Sequence, residues 1–178
     1  MDKKDLINLL KYSHQAFIAK IKGLSNDDFM KSRNGKWTAG QQLEHIIKSV
    51  QAVLKALELP KSVLEEKFGT TDRTNRTYEE VVSDYLIVLK ENPNYVLPEK
   101  FAPDKIAIQD KEAKLGALQE LIQKLVGHVN NYDNKDLENQ ILPHPVMGKL
   151  TLKEILYFTA YHVEHHDKQI LRNLNIKT

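Results

Sequence analysis

A chain of 178 residues with 41% hydrophobic and 28% charged side chains has the composition of a globular protein, long enough to bury one stable core. Its net charge of +2, spread over interspersed residues of both signs, provides no basic block or arginine-rich arm, which argues against a nucleic-acid partner. The absence of cysteine excludes disulfides, thiolate zinc sites and cysteine nucleophiles together. No apolar run approaches the roughly 20 residues needed to span a bilayer. The opening Met1-Asp2-Lys3-Lys4-Asp5-Leu6 stretch lacks the long apolar segment of a signal peptide. The expectation is a cytoplasmic protein with residues 1–178 in a single helical domain, in contact with neither membrane nor nucleic acid.

The first helical pattern covers residues 3–22, with Leu6, Leu9, Leu10, Phe17, Ile18 and Ile21 on its apolar stripe and Gly23 placed to end it. His14 falls near that stripe, without a partner at chelating spacing, and reads as a packing residue. Residues 24–36 read as a polar linker. A second helix opens at Thr38, where Gln41 stands three residues on, the arrangement of a reciprocal capping box. Trp37, just outside it, is a large apolar group at the helix mouth. This helix continues through Ile46, Ile47, Val50 and Leu54 and stops before Pro60. His45 lines up with Ser49, Ala52 and Ala56, a row of small residues where another helix could approach closely. That position leaves it open whether His45 belongs to a site or to the packing. Glu44 belongs by angle to a polar stripe with Lys48, Lys55 and Glu58.

Residues 59–76 read as a polar connection. Thr77 and Glu80 form another capping-box pair ahead of a shorter helix, which Asn92-Pro93 ends. Three prolines and no helical period make residues 93–110 an extended surface loop, long enough to serve as a lid or a dimer contact. Residues 111–131 are helical, with Leu115, Leu118, Ile122, Leu125 and Val129 inward. His128 on this helix has no inward-facing partner four residues away and is a weak candidate ligand. Between Asn139 and Thr151, two prolines and Gly148 fix a turn, with His144 held extended between Pro143 and Pro145 near the mouth of any site.

The last helix begins at Thr151, again with a box partner, Glu154. At about 100° per residue, Leu152, Ile155, Leu156, Thr159, Val163 and Ile170 share a face; His166 lies about 40° and His162 about 80° from its centre, while His165 lies about 140° away. Two histidines four apart on one helix stand one above the other and can chelate a single metal ion. A packed or hydrogen-bonded core pair is the other reading. The chain is therefore expected to be all-α, with four long helices and a shorter one arranged as a bundle.

These residues, taken together, resemble the DinB/YfiT-like superfamily. The resemblance rests on Trp37-Thr38-x-x-Gln41-x-Leu43-x-His45 at the second helix. It rests equally on His144-Pro145-x-x-Gly148-x-Leu150-Thr151 leading into the last helix, and on His162-x-x-x-His166 followed by Gln169. It implies a four-helix bundle, often a homodimer, in which the 77–92 helix and its loop are an insertion. It also implies one divalent metal per chain, nickel or zinc most often, held by His45, His162 and His166. Trp37, His144 and Gln169 become pocket or supporting residues, with Tyr161 another lining candidate. Relatives in this superfamily include transferases and isomerases that use small thiols such as bacillithiol or mycothiol, alongside others labelled hydrolases. The implied activity is therefore metal-dependent transfer of a low-molecular-weight thiol to an electrophilic small molecule, or hydrolysis. The contrasting expectation is a non-catalytic, stress-associated metal-binding or interaction bundle.

Overall fold

The computed structural model describes residues 1–176. Four long helices carry the core: α1 (Lys3–Gly23), α3 (Ala39–Leu57), α6 (Lys111–Asn131) and α8 (Leu152–Leu174). Each of α1 and α3 packs against both α6 and α8, so the order around the bundle is α1, α6, α3, α8. Consecutive long helices α1 and α3 thus stand diagonally, an arrangement that needs crossover connections rather than short hairpins. Leu10, Phe17, Leu43, Leu118, Leu125 and Leu156 meet in the interior, each no more than 2% exposed. Truncating any one to alanine would cost about 2–5 kcal/mol. No helix among the described residues is long and apolar enough to cross a membrane.

The three expected capping boxes form. Thr38, Thr77 and Thr151 each accept from a backbone N–H three residues on, and Gln41, Glu80 and Glu154 reach back to the cap backbone. They start α3, α5 (Tyr78–Glu91) and α8 at the residues the sequence indicates. The shorter helix α5 lies outside the four, packed on α8.

The connections hold more structure than their composition suggests. The polar linker after α1 contains α2 (Asn26–Met30), started by Ser25 and anchored by the fully buried Phe29. Phe29 lies so close to α3 that a Cβ on Gly40 would sit 2.8 Å from its ring, so glycine is needed there. The 59–76 connection contains α4 (Lys61–Phe68), which buries Leu64. The rest of that connection has no regular structure but is tied to α8, as described below. A short α7 (Asn134–Asn139) precedes a two-stranded hairpin, β1 (Ile141–His144) antiparallel to β2 (Gly148–Thr151), where a turn alone was expected. Pro143 pairs with Lys149, and His144 with Gly148, whose φ of 72° turns the chain back after three loop residues. The loop after α5 runs to α6 with two single 3₁₀ turns, Glu99–Phe101 and Ile108–Asp110.

The connection bearing Thr71–Thr77 is fastened by the Thr71 N–H to the Asn139 carbonyl, by Asn75 to Glu138 and Thr151, and by one carboxylate that gathers most of its charged contacts. Glu154, at the start of α8, is completely buried and accepts a bidentate pair of bonds from Arg73, at 2.7 and 2.5 Å. It also accepts from the Arg76 backbone N–H at 2.9 Å, from the Arg76 guanidinium at 3.2 Å, and from the Thr151 N–H at 3.0 Å. Burial alone would raise the Glu154 pKa, but these donors together hold it down at about 2.

Candidate metal centre and cavity

Three histidines meet where α3 faces α8. His45, His162 and His166 are all buried, and one ring nitrogen of each lies within 4.8 Å of the others. The Nε2 atoms of His45 and His162 are 3.2 Å apart, and those of His162 and His166 are 2.9 Å apart. His162 and His166 come together because they are one helical turn apart. Phe158 extends the same column, its ring 4.7 Å from that of His162.

The other nitrogens show which tautomers are present. His45 Nδ1–H donates to the Phe101 carbonyl at 2.8 Å, and His166 Nδ1–H donates to Gln42 Oε1. Both rings therefore present the Nε2 lone pair to the centre. Burial, reinforced by the neighbouring histidines, holds His162 and His166 well below the ordinary histidine range. Burial also lowers His45, partly offset by the Phe101 carbonyl and reinforced by Lys48. The rings are thus neutral imidazoles, the form that ligates a metal. Lone pairs this close repel unless a proton or a cation lies between them. Two bonds of about 2.0–2.1 Å to one tetrahedral ion would place their nitrogens about 3.3 Å apart, close to the spacing seen. The donor set fits a divalent ion with three protein ligands, and among the described residues no fourth histidine or carboxylate joins the group.

The cluster forms one wall of a cavity of about 460 Å³. The remaining walls come from α3, α5, the loop after α5, the hairpin and α8, and are mostly apolar. Trp37 lines the cavity, its ring stacked 6.3 Å from His166 and tilted 5.2 Å from His45. His144 lines it too, its ring 4.3 Å from that of Phe158. Ser49, Ala52 and Ala56 admit no close helix here; their small side chains leave the space that the cavity fills. The loop after α5 is the outer wall, contributing Tyr95, Leu97, Lys100 and Phe101. It is fastened to α3 by Lys48, which donates to the Ala102 carbonyl at 2.7 Å and pairs with Asp104 at 2.8 Å.

Several other residues sit elsewhere than their periodicity suggests. Glu44 does not point to a solvated stripe but is buried against α6, paired with Lys114 at 2.7 Å. Tyr161 is buried beside Tyr85, outside the cavity lining. His165, expected near solvent, is half-buried because α5 covers it, with the Tyr85 ring 5.5 Å away. Gln169 is half-buried, and the side-chain oxygen bonded to His166 comes from Gln42 instead. Gln42 carries one local signal: it lies one turn before His45, on the same side of α3. His128 and His14 stand apart from the cluster.

No curated protein matches the chain. A family model described as the DinB superfamily matches residues 9–170, far more than half of the sequence, and the chain belongs to that superfamily.

Proposed function

We propose that this protein is a metal-dependent enzyme whose divalent ion, nickel or zinc, is held by His45, His162 and His166. In this reading it joins a small thiol to an electrophilic molecule, R–SH and R′–X giving R–S–R′ and HX. The observation that carries the reading is the convergence of three neutral imidazoles, two of them held in orientation, on the wall of an apolar cavity. Three protein ligands leave coordination positions open, as in catalytic rather than closed structural sites. A divalent ion held there supplies Lewis-acid activation of a thiol or a water molecule. Among the described residues the lining contains no carboxylate that could act as a general base, which favours activation at the cluster. Phe101 and Gln42 hold two rings in the ligating tautomer. The apolar walls exclude water around the reacting groups. The superfamily includes transferases that use small thiols, which favours thiol transfer; hydrolysis by the same centre is the variant without a thiol. A stress-associated bundle with a purely structural metal is disfavoured by the adjoining cavity.

Elemental analysis of untagged protein tests the reading first. It should contain about one nickel or zinc per chain, removable by chelator. His45→Ala, His162→Ala and His166→Ala should each abolish stoichiometric metal, while His165→Ala retains it. Equal loss in all four variants, or no metal binding in the native protein, would refute the three-histidine site. Assays with small thiols and an electrophilic dye then separate transfer from hydrolysis.

A further inference from the structure

His144 is a polar group on the cavity wall whose donor direction is set by the backbone and whose donor is left without a protein partner among the described residues. Its Nδ1 accepts from the Val146 and Met147 N–H groups of the hairpin loop, at 3.2 and 3.1 Å. A nitrogen that accepts two N–H groups carries no proton, so the ring's hydrogen is on Nε2. That Nε2–H has no protein partner among the described residues, and it is not among the sealed, unpartnered buried atoms. The ring lines the cavity beside Phe158, 4.3 Å between ring centroids, and Phe158 in turn lies 4.7 Å from the ring of His162. Among the other polar side chains of the lining, the Trp37 indole is also a donor without a protein partner among the described residues, but its ring lies against His45 and His166, at the cluster itself. Tyrosine hydroxyls rotate and both donate and accept. The Ser49 hydroxyl is already committed to the His45 carbonyl at 2.8 Å. Lys100 is exposed on its flexible stem.

We propose that His144 is a substrate-binding residue. Its fixed Nε2–H seats a hydrogen-bond acceptor, such as a carbonyl or ether oxygen, of an otherwise apolar ligand. The substrate class is therefore an apolar, oxygen-bearing electrophile rather than a plain hydrocarbon or a polyanion. This deepens the function proposed above and rests on it only in taking the cavity as the ligand site.

The test uses two probes of one shape, acetophenone and α-methylstyrene, which differ only in an oxygen replacing a methylene. Their binding is measured on the full-length protein as purified, and again after chelation. The native protein should favour acetophenone, relative to α-methylstyrene, about 3- to 10-fold more than His144→Asn does, the discrimination of one neutral hydrogen bond. Asparagine keeps an acceptor near the position of Nδ1 for the hairpin loop but lacks the far donor. An unchanged ratio in a folded His144→Asn protein overturns the proposal. A second measurement needs no variant: long-range ¹H–¹⁵N spectra of the native protein should show the Nε2–H tautomer of His144, its signal shifting with acetophenone. An Nδ1–H tautomer, or a signal that acetophenone leaves unmoved, also overturns it. Discrimination that survives in a protein found to bind no metal sinks the metal reading alone. Metal binding without His144-dependent discrimination sinks this proposal alone.

Discussion

Gln42 shows how much of the centre depends on a residue that touches no substrate. Its Oε1 accepts a hydrogen bond from His166 Nδ1–H and so points the ring's Nε2 at its two partners. Leucine fills nearly the same volume but cannot accept that proton, leaving the ring free to turn or change tautomer. Gln42→Leu should weaken metal affinity about 10- to 100-fold while the fold persists, because partners of this kind orient metal-binding histidines. Competition with a chromogenic chelator reads this directly, and native affinity in the variant would show that packing alone orients His166. The convergence of His162 and His166 was legible in the sequence because a four-residue spacing has one geometric meaning on a helix. His45 was not fixed by periodicity, since a place at the edge of a buried face is compatible with both packing and a site. Gln42 was harder still: an amide on a helix carries no sign of the bond it makes until the opposing helix is in place.

At the scale of elements, Glu154 joins two roles that the sequence shows only singly. The capping box with Thr151 is local and was readable from the Thr-x-x-Glu spacing. The ion pairs with Arg73 and Arg76 span about 80 residues of chain and leave no local trace. The same distinction explains the other connections. Each strand of the hairpin is four residues long, too short for alternation to be seen, and α4 buries a single leucine, too few apolar positions to display a period. Glu154→Gln keeps a capping side chain but removes the charge between two guanidinium groups. We expect it to lower stability by about 2–4 kcal/mol, since one partner of a buried charged network is lost. Urea unfolding monitored by circular dichroism tests this, and a loss below about 1 kcal/mol would show that the Arg73 and Arg76 contacts contribute little. The Glu154 carboxyl has a pKa of about 2 in the folded chain. It stabilises the fold above the unfolded-state value of about 4.3, and that contribution disappears as pH falls from there towards 2.

For the whole molecule, the buried histidines make acid the adverse direction. His14, in the core between α1 and its neighbours, donates Nδ1–H to the Leu10 carbonyl at 2.8 Å, while its Nε2 is buried without a partner. Burial, only partly offset by that carbonyl, pushes its pKa down to about 4. Above about 6.5 the ring is neutral in both folded and unfolded chains and stability is unaffected. Between 6.5 and 4 only the unfolded chain takes up the proton, so stability falls with pH, by up to about 3 kcal/mol from this residue at the lower limit. His14→Phe should therefore lose less stability than the native protein between pH 7 and pH 4.5. Urea midpoints at the two pH values measure the difference, and parallel losses would show that His14 is protonated without penalty. The all-helical class and the bundle itself were readable from the 3.6-residue period and the caps. The cavity was not, because it is the space that Ser49, Ala52 and Ala56 fail to fill, and absent volume has no residue to announce it.

The bond from His45 to the Phe101 carbonyl joins two parts of the protein that differ in purpose. Phe101 and His45 both line the cavity, side by side where this bond joins them. A displacement of the Phe101 carbonyl would therefore move the acceptor that orients the His45 ring. A guest too large would push the wall outward and draw the imidazole off its aim; one of the right size would leave both in register. Selectivity for size would then follow from the alignment of the three histidines, without a separate device.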